Sequence, residues 1–460
     1  MYRYLIGLFI FTLTVLIPPL FSQTLEKLQL SLSQCETLAL EKNPLIKEAE
    51  YEVEKSLIQH REARGAGFLP KMELRNIWGL LPRARAQYTS TGVLTSPDTA
   101  TGISDLRIFT EMEFSILQPL YTFGKIHHLQ EAAESGIEVS EAGVTQREWE
   151  VRLEIRKLYW GIVLGKEVLT ILHDAQSKIR EAETKLNEKL DEGSEDVTQN
   201  DLFKLQIFKY EIDKETRKIE QDLLLGKKTL LTALGKNENL DFEPKSEYLE
   251  PIPFLPDSIQ TYFSLAARYH PQLLQIQAGL NATRALVGVA RSDLYPQFFI
   301  AGGLKYNYAP GRDDPRNPWV YNPTNFFRPG AVLGLSLNLN FSQTRNKIRL
   351  AENDYQKLST QKILLHHKLN LEIQKLYQAI LTAQQDIRES NKALKASENW
   401  LRSVSMSFDL GLAEIKELID AYKANSKMQV EHLQNIYRYN VLVAELSKKI
   451  GYDLYPHHSE

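Results

Sequence analysis

The sequence predicts a mainly α-helical chain with a small β part, written as two copies of one unit, and three observations carry that expectation. A helical segment recurs in both halves, an alternating segment follows it each time, and a long run of seven-residue apolar spacing follows that.

The first copy opens on Thr37-Leu38-Ala39-Leu40-Glu41-Lys42-Asn43-Pro44 and the second on Ser264-Leu265-Ala266-Ala267-Arg268-Tyr269-His270-Pro271. Each runs through a polar, Ala-rich helical stretch to a similar exit, Ala63-Arg64 then Leu69-Pro70, and Ala290-Arg291 then Tyr295-Pro296, with one extra residue in the first. Such internal repetition decides the architecture before any local assignment is made.

After each exit the period changes from helical to two. Ile108, Thr110, Met112, Phe114 and Ile116 alternate with Arg107, Phe109, Glu111, Glu113 and Ser115; Leu333, Leu335, Leu337, Leu339 and Phe341 alternate with Val332, Gly334, Ser336, Asn338 and Asn340. A strand with one apolar face and one charged or small face follows. Lys71 to Trp78 and Gln297 to Tyr308 read as the partner strands, giving hairpins over about 71–118 and 297–341. Their connections, Leu81 to Asp105 and Pro310 to Pro329, are long and turn-rich, as on the outer side of a membrane barrel.

A very long helix follows each hairpin. Ile137, Val144, Val151, Leu158, Leu172, Ile179 and Leu186 share one seven-residue grid broken only at Gly165, and Ile373, Ile380, Ile387, Leu394, Leu401 and Phe408 share another. Sustained spacing of this kind is a coiled-coil seam. The stretch from Ile126 to Leu190 would be roughly 95 Å long at 1.5 Å per residue. Turns at Gly193 and Gly411 reverse the chain, and return helices end near Gly235 and Gly451, placed as helix C-caps. The first unit therefore spans 23–235 and the second 258–451; the Pro-rich stretch 236–257 reads as a linker and 452–460 as a polar tail.

Residues 1–22 have one basic residue, an apolar run from Leu5 to Ile17, Pro18-Pro19 and a small residue at Ser22, the order of a cleaved secretory signal. The run is shorter than the roughly 20 residues of a spanning helix, and no later run is as apolar. Only strands could then cross a bilayer. With 55 Lys and Arg against 58 Asp and Glu, the net charge of −3 excludes a nucleic-acid footprint. The single cysteine, Cys35, reads as an ordinary buried helix residue rather than a lipid attachment site.

Each chain thus offers four candidate membrane strands, too few to close a barrel. An open edge in lipid costs several kcal/mol per unpaired backbone group, so one barrel must be shared, and the pattern alone allows two, three or four chains.

The doubled Leu-Ala helix with its Asn-Pro or His-Pro, the Leu-Pro exit, the junction Gln118-Pro119-Leu120-Tyr121-Thr122-Phe123-Gly124-Lys125 and the turn from Gly411 to Ala421 together resemble TolC-like outer-membrane efflux proteins over nearly the whole mature chain. The second junction, Asn338 to Arg345, lacks the proline and glycine. The resemblance implies a homotrimer with a twelve-stranded barrel in outer-membrane lipid and a periplasmic helical tunnel. It also implies a periplasmic adaptor (membrane fusion) protein and an inner-membrane transporter as partners, and no cofactor.

Glu417 and Asp420 are three apart at a helix start, hence on one face; acids there also suit a helix N-terminus. The resemblance implies that they ring the tunnel's periplasmic constriction, with Gln199 at the matching place in the first copy. It also points to Phe408 and Asp409 beside the turn in tip closure, and to Ala413 where some members carry a locking arginine.

The pairs His127-His128, His366-His367 and His457-His458 read as solvated surface, since neighbours on a helix diverge by about 100° and do not chelate from one face. Trp78, Trp319, Tyr306, Tyr308, Tyr321, Phe326 and Phe327 are candidates for an interfacial aromatic girdle. No phosphate loop, nucleophile elbow or metal-ligand spacing is present, so an enzyme is not expected. The competing reading is a soluble periplasmic coiled-coil scaffold or adaptor.

Overall fold

The computed structural model describes residues 27–84, 87–89, 91, 93–96, 105–192, 198–238, 240–312, 314, 319, 321–410 and 412–455. The expected signal peptide, Gly193, Gly411 and the His457-His458 pair lie outside them. Short strand β1 (Lys27–Leu30) leads into helices α1 (Leu32–Lys42) and α2 (Pro44–Phe68), then strands β2 (Lys71–Pro82), β3 (Gln87–Tyr88), β4 (Leu94–Ser96) and β5 (Leu106–Tyr121). Helices α3 (Lys125–Asp191) and α4 (Gln199–Ala233) complete the first copy. Strand β6 (Asp241–Pro244) precedes the second: α5 (Ile259–Tyr269), α6 (Pro271–Ser292), β7 (Gln297–Tyr308), β8 (Phe326–Ser336), α7 (Phe341–Asp409) and α8 (Ile415–Ile450).

The local causes are legible. Asn43 is extended and its side chain accepts the Leu45 N–H at 3.0 Å, while Pro44 supplies a helical φ at the first position, so the chain breaks and restarts between α1 and α2. Gly235 and Gly451 hold φ of 63° and 69° just past α4 and α8, the left-handed conformation that ends a helix without steric penalty.

Two expectations need correction. The stretch 236–257 is more than a linker, because β6 within it pairs in parallel with β1 from Lys27↔Asp241 to Leu30↔Pro244. The second hairpin ends at Ser336 rather than Phe341. Asn338 accepts the Asn340 N–H at 2.9 Å, the Asn340 carbonyl accepts the Thr344 N–H at 3.1 Å, and Phe341 opens α7. Period-two apolar spacing therefore continued past the strand into a turn. No helix among the described residues is long and apolar enough to cross a membrane.

Packing divides the chain into two compact units that each draw on both copies. The first contains the described residues up to Ala39 with Ile155–Leu249 and Leu394–Leu433. Here the grid residues Leu172, Ile179 and Leu186 bury against Leu205, Phe208 and Ile212 of α4, and against Val404, Phe408, Ile415, Leu418 and Ile419. The break in the grid has a steric reason: a Cβ at Gly165 would lie 2.7 Å from Leu223 Cδ2, so the bare backbone lets α4 pack close. Asn425 donates to Ser397 at 3.2 Å, satisfying a buried polar pair between α8 and α7.

The second unit contains Leu40–Glu154, Glu250–Ala393 and the residues from Gln434. Its sheet is antiparallel with order β2-β5-β7-β8, so both hairpins join through β5 and β7. Ile373 and Ile380 of α7 are fully buried. The strap at 250–254 is tied to α8: Asn440 donates to the Glu250 carbonyl at 2.8 Å and accepts the Ile252 N–H at 2.9 Å, and Tyr439 donates to the Phe254 carbonyl at 3.0 Å.

Candidate functional site

Two sites emerge, one in each unit. The first is the four-stranded sheet. Its register places Met72↔Ile116, Leu74↔Phe114 and Leu80↔Ile108 between β2 and β5, Phe114↔Leu304 between β5 and β7, and Phe298↔Leu335 and Ile300↔Leu333 between β7 and β8. Paired residues share a face, so these side chains form one continuous apolar surface, and Met72, Leu74, Leu80, Ile108, Ile300, Leu333 and Leu335 are exposed on it. An apolar sheet face of this extent left open to solvent marks a membrane or protein contact.

The opposite face carries the charges. One rank runs Arg75↔Glu113↔Lys305↔Arg328 across all four strands, and the next places Glu111 opposite Ile77 and Asn307. Arg75 pairs with Glu113, and Lys305 reaches Glu111 at 2.9 Å. Arg328 donates to the Tyr321 hydroxyl at 2.9 Å and the Asn322 carbonyl at 2.7 Å, with its guanidinium 3.9 Å from the centroid of the Phe326 ring. The alternation of Glu111 and Glu113 signals this face in the sequence; its partners Arg75, Lys305 and Arg328 depend on a register that sequence does not show.

The aromatic candidates separate by face. Trp78 pairs with Thr110, which pairs with Tyr308, and Tyr306 pairs with Phe327, so all four aromatics stand on the apolar face. Phe326, opposite Asn307, falls on the charged face, and Tyr321 is held by Arg328. A second aromatic group, Tyr121, Phe298, Phe123 and Tyr295, lies at the other end of the strands, with Phe123 stacked on Tyr295 at 5.2 Å and edge-on to Tyr121 at 4.7 Å. From Phe298 to Tyr308 is roughly 34 Å along a strand, or about 25 Å at a barrel tilt near 40°, which matches the apolar band of outer-membrane barrels.

The second site is the turn between α7 and α8. Ile415, Leu418 and Ile419 face the core and thereby turn Glu417 and Asp420 outward, both exposed. Gln199 is likewise exposed at the start of α4, beside Thr198, whose N–H and hydroxyl donate to Asp201 at 3.1 and 2.7 Å. The structure treats the adjacent candidates differently. Phe408 is buried among the helices under Lys189, whose Nζ lies 5.5 Å from the ring centroid, so it serves packing within the chain. Asp409 is exposed and accepts from Lys185 at 3.1 Å, which ties α7 to α3 and raises the lysine's pKa. Lys185 was not singled out from sequence, where it is one of many helix-surface lysines.

Comparison with solved structures shows the same fold over 92% of the chain. The outer-membrane channel OprN superposes with a TM-score of 0.73 at 15% identity, covering 92% of this chain and 91% of that one. The outer-membrane protein VceC of Vibrio cholerae gives 0.71 at 16%, covering 92% and 96%, and the open-state MtrE channel of Neisseria gonorrhoeae gives 0.72 at 14%, covering 92% and 89%. The chain therefore has the fold of the TolC-like outer-membrane channels. Residues 263–451, nearly the whole second copy, match the model of the outer membrane efflux protein family. Comparison with curated protein sequences gives no significant match.

Proposed function

We propose that three copies of this chain form an outer-membrane channel, the exit duct of a tripartite efflux or type I secretion system. It is a passive conduit whose energy comes from an inner-membrane transporter, reached through a periplasmic adaptor. The observation that carries this reading is the four-stranded sheet with one exposed apolar face, one charged face and two long outer edges, β2 and β8, that have no strand partner among the described residues. In lipid each unpaired backbone group costs several kcal/mol, and pairing β8 of one copy with β2 of the next closes a barrel and turns the charged rank toward a water-filled lumen.

At the other site Glu417 and Asp420 form two carboxylate rings in a trimer, a constriction that favours cations. The Lys185–Asp409 pair holds adjacent long helices together near the turn. The test of the assembly is the mass of the detergent-extracted protein after membrane fractionation, by light scattering corrected for bound detergent. A three-chain particle from the outer membrane supports the duct; a monomer or dimer in the soluble periplasmic fraction overturns it in favour of a soluble scaffold.

A further inference from the structure

Where β5 gives way to α3 and β7 follows α6, a cleft of about 860 Å³ opens between α3, α6 and α7. One face of α6 supplies its floor with Arg284, Gly288 and Arg291; α7 supplies Glu352 and Tyr355; Phe123 and Tyr295 close the end toward the sheet. Gly288 lets the His128 ring of α3 pack directly on α6 at the side of the cleft, because a Cβ there would lie 2.6 Å from that ring. Arg284 donates to the Tyr355 hydroxyl at 3.0 Å and Arg291 to Glu352 at 2.7 Å. A guanidinium has five N–H donors, so each arginine keeps further donors for an anion, with a carboxylate alongside.

The cleft's position is as informative as its chemistry. Tyr121 and Phe298 end the apolar face, and Phe123 packs against Tyr121 and stacks on Tyr295. The cleft is thus continuous with the lower rim of the surface read here as lipid-facing, at the depth where phospholipid headgroups lie. We propose that it binds the headgroup of a zwitterionic aminophospholipid from the periplasmic leaflet. Arg284 and Arg291 take the phosphodiester, Glu352 takes the ammonium, and the Phe123–Tyr295 stack meets the glycerol and the first methylenes. A headgroup without an amine brings no cation to Glu352, which gives the site its preference. This inference rests on the membrane reading above.

The test is native mass spectrometry of the full-length detergent-solubilised protein, titrated with dioleoyl phosphatidylethanolamine, dioleoyl phosphatidylglycerol or free phosphoethanolamine. Light scattering on the same samples checks the assembly, so loss of the three-chain particle counts against the duct reading and not against this site. With the particle intact, phosphatidylethanolamine is expected to be retained preferentially, and Arg284→Ala with Arg291→Ala lowers its occupancy roughly tenfold, as for loss of charged hydrogen bonds. Glu352→Gln keeps phosphate binding but removes the preference over phosphatidylglycerol. Equal adducts in the wild type and the double-arginine variant overturn the site, equal retention of the two lipids by the wild type overturns the amine assignment, and equal binding of free phosphoethanolamine overturns the lipid as its source.

Discussion

Arg156 is buried in α3 and grips Glu36 of α1 through Nε at 2.6 Å and Nη2 at 3.4 Å, with the two side chains 2% and 7% exposed. Such a pair is costly to break and cheap to replace. Glu36→Ala alone leaves the guanidinium buried without its carboxylate and is expected to cost about 3–5 kcal/mol, whereas Glu36→Leu with Arg156→Met stays near wild type; the midpoint of thermal unfolding in detergent, followed by circular dichroism, separates the two. The second residue is His270, the counterpart of Asn43 in the repeat. Unlike Asn43 it makes no side-chain cap, its Nδ1 is buried without a hydrogen-bond partner, and burial, with Lys449 nearby, pushes its pKa down to about 4. The unfolded chain takes up this proton first, near the ordinary pKa of about 6.5, so the ring's contribution is complete above that pH. It is lost as pH falls from about 6.5 toward 4, up to about 3 kcal/mol in all. His270→Asn is expected to flatten the drop in unfolding temperature between pH 7 and 4.5 and to restore the missing cap.

The glycines that close the return helices belong to the scale of elements. Gly451 is left-handed, and a Cβ there would strike the carbonyl oxygen of Tyr269 at the end of α5, so backbone meets backbone and neither can swing away. Gly451→Ala is expected to cost at least the roughly 1–2 kcal/mol of the left-handed conformation, read as a lower unfolding midpoint. This end signal was legible in the sequence, as were the long helices and the apolar and charged faces of β5, because one helix face or one strand face is decided by local period. What was not legible depended on partners far along the chain. The β1–β6 ladder consists of four residues on each side, too short to show a period, and β6 sits in a proline-rich stretch that reads as linker. Leu337 and Leu339 kept the strand period after Ser336 although no strand remained to pair with them. At the turn, the shared face of Glu417 and Asp420 followed from their spacing of three, and Phe408 lay on the seven-residue seam of α7, whereas its cover by Lys189 required α3 to be assembled against it.

For the whole molecule the proposed trimer makes a statement about ions that no single chain can make. On the charged face of the sheet, Arg75, Lys305 and Arg328 are set against Glu111 and Glu113, and Arg75 and Lys305 lie in ion pairs with these carboxylates, so the barrel wall contributes a small and locally compensated charge. Glu417 and Asp420 stand outward on one face at the start of α8, and threefold repetition would concentrate their charge at one level of the duct. Unscreened charge matters within about 8–10 Å at ordinary salt, so rings at a narrow level govern permeation while charges on a wide wall do not. In planar bilayers under a salt gradient, Glu417→Ala with Asp420→Ala is therefore expected to move the reversal potential toward the anion equilibrium value, most clearly at low ionic strength. Lys305→Ala in the barrel is expected to leave it within error of wild type. An unchanged reversal potential in the tip variant would remove Glu417 and Asp420 from the constriction, and a shift in the barrel variant alone would put the selective level in the outer membrane instead.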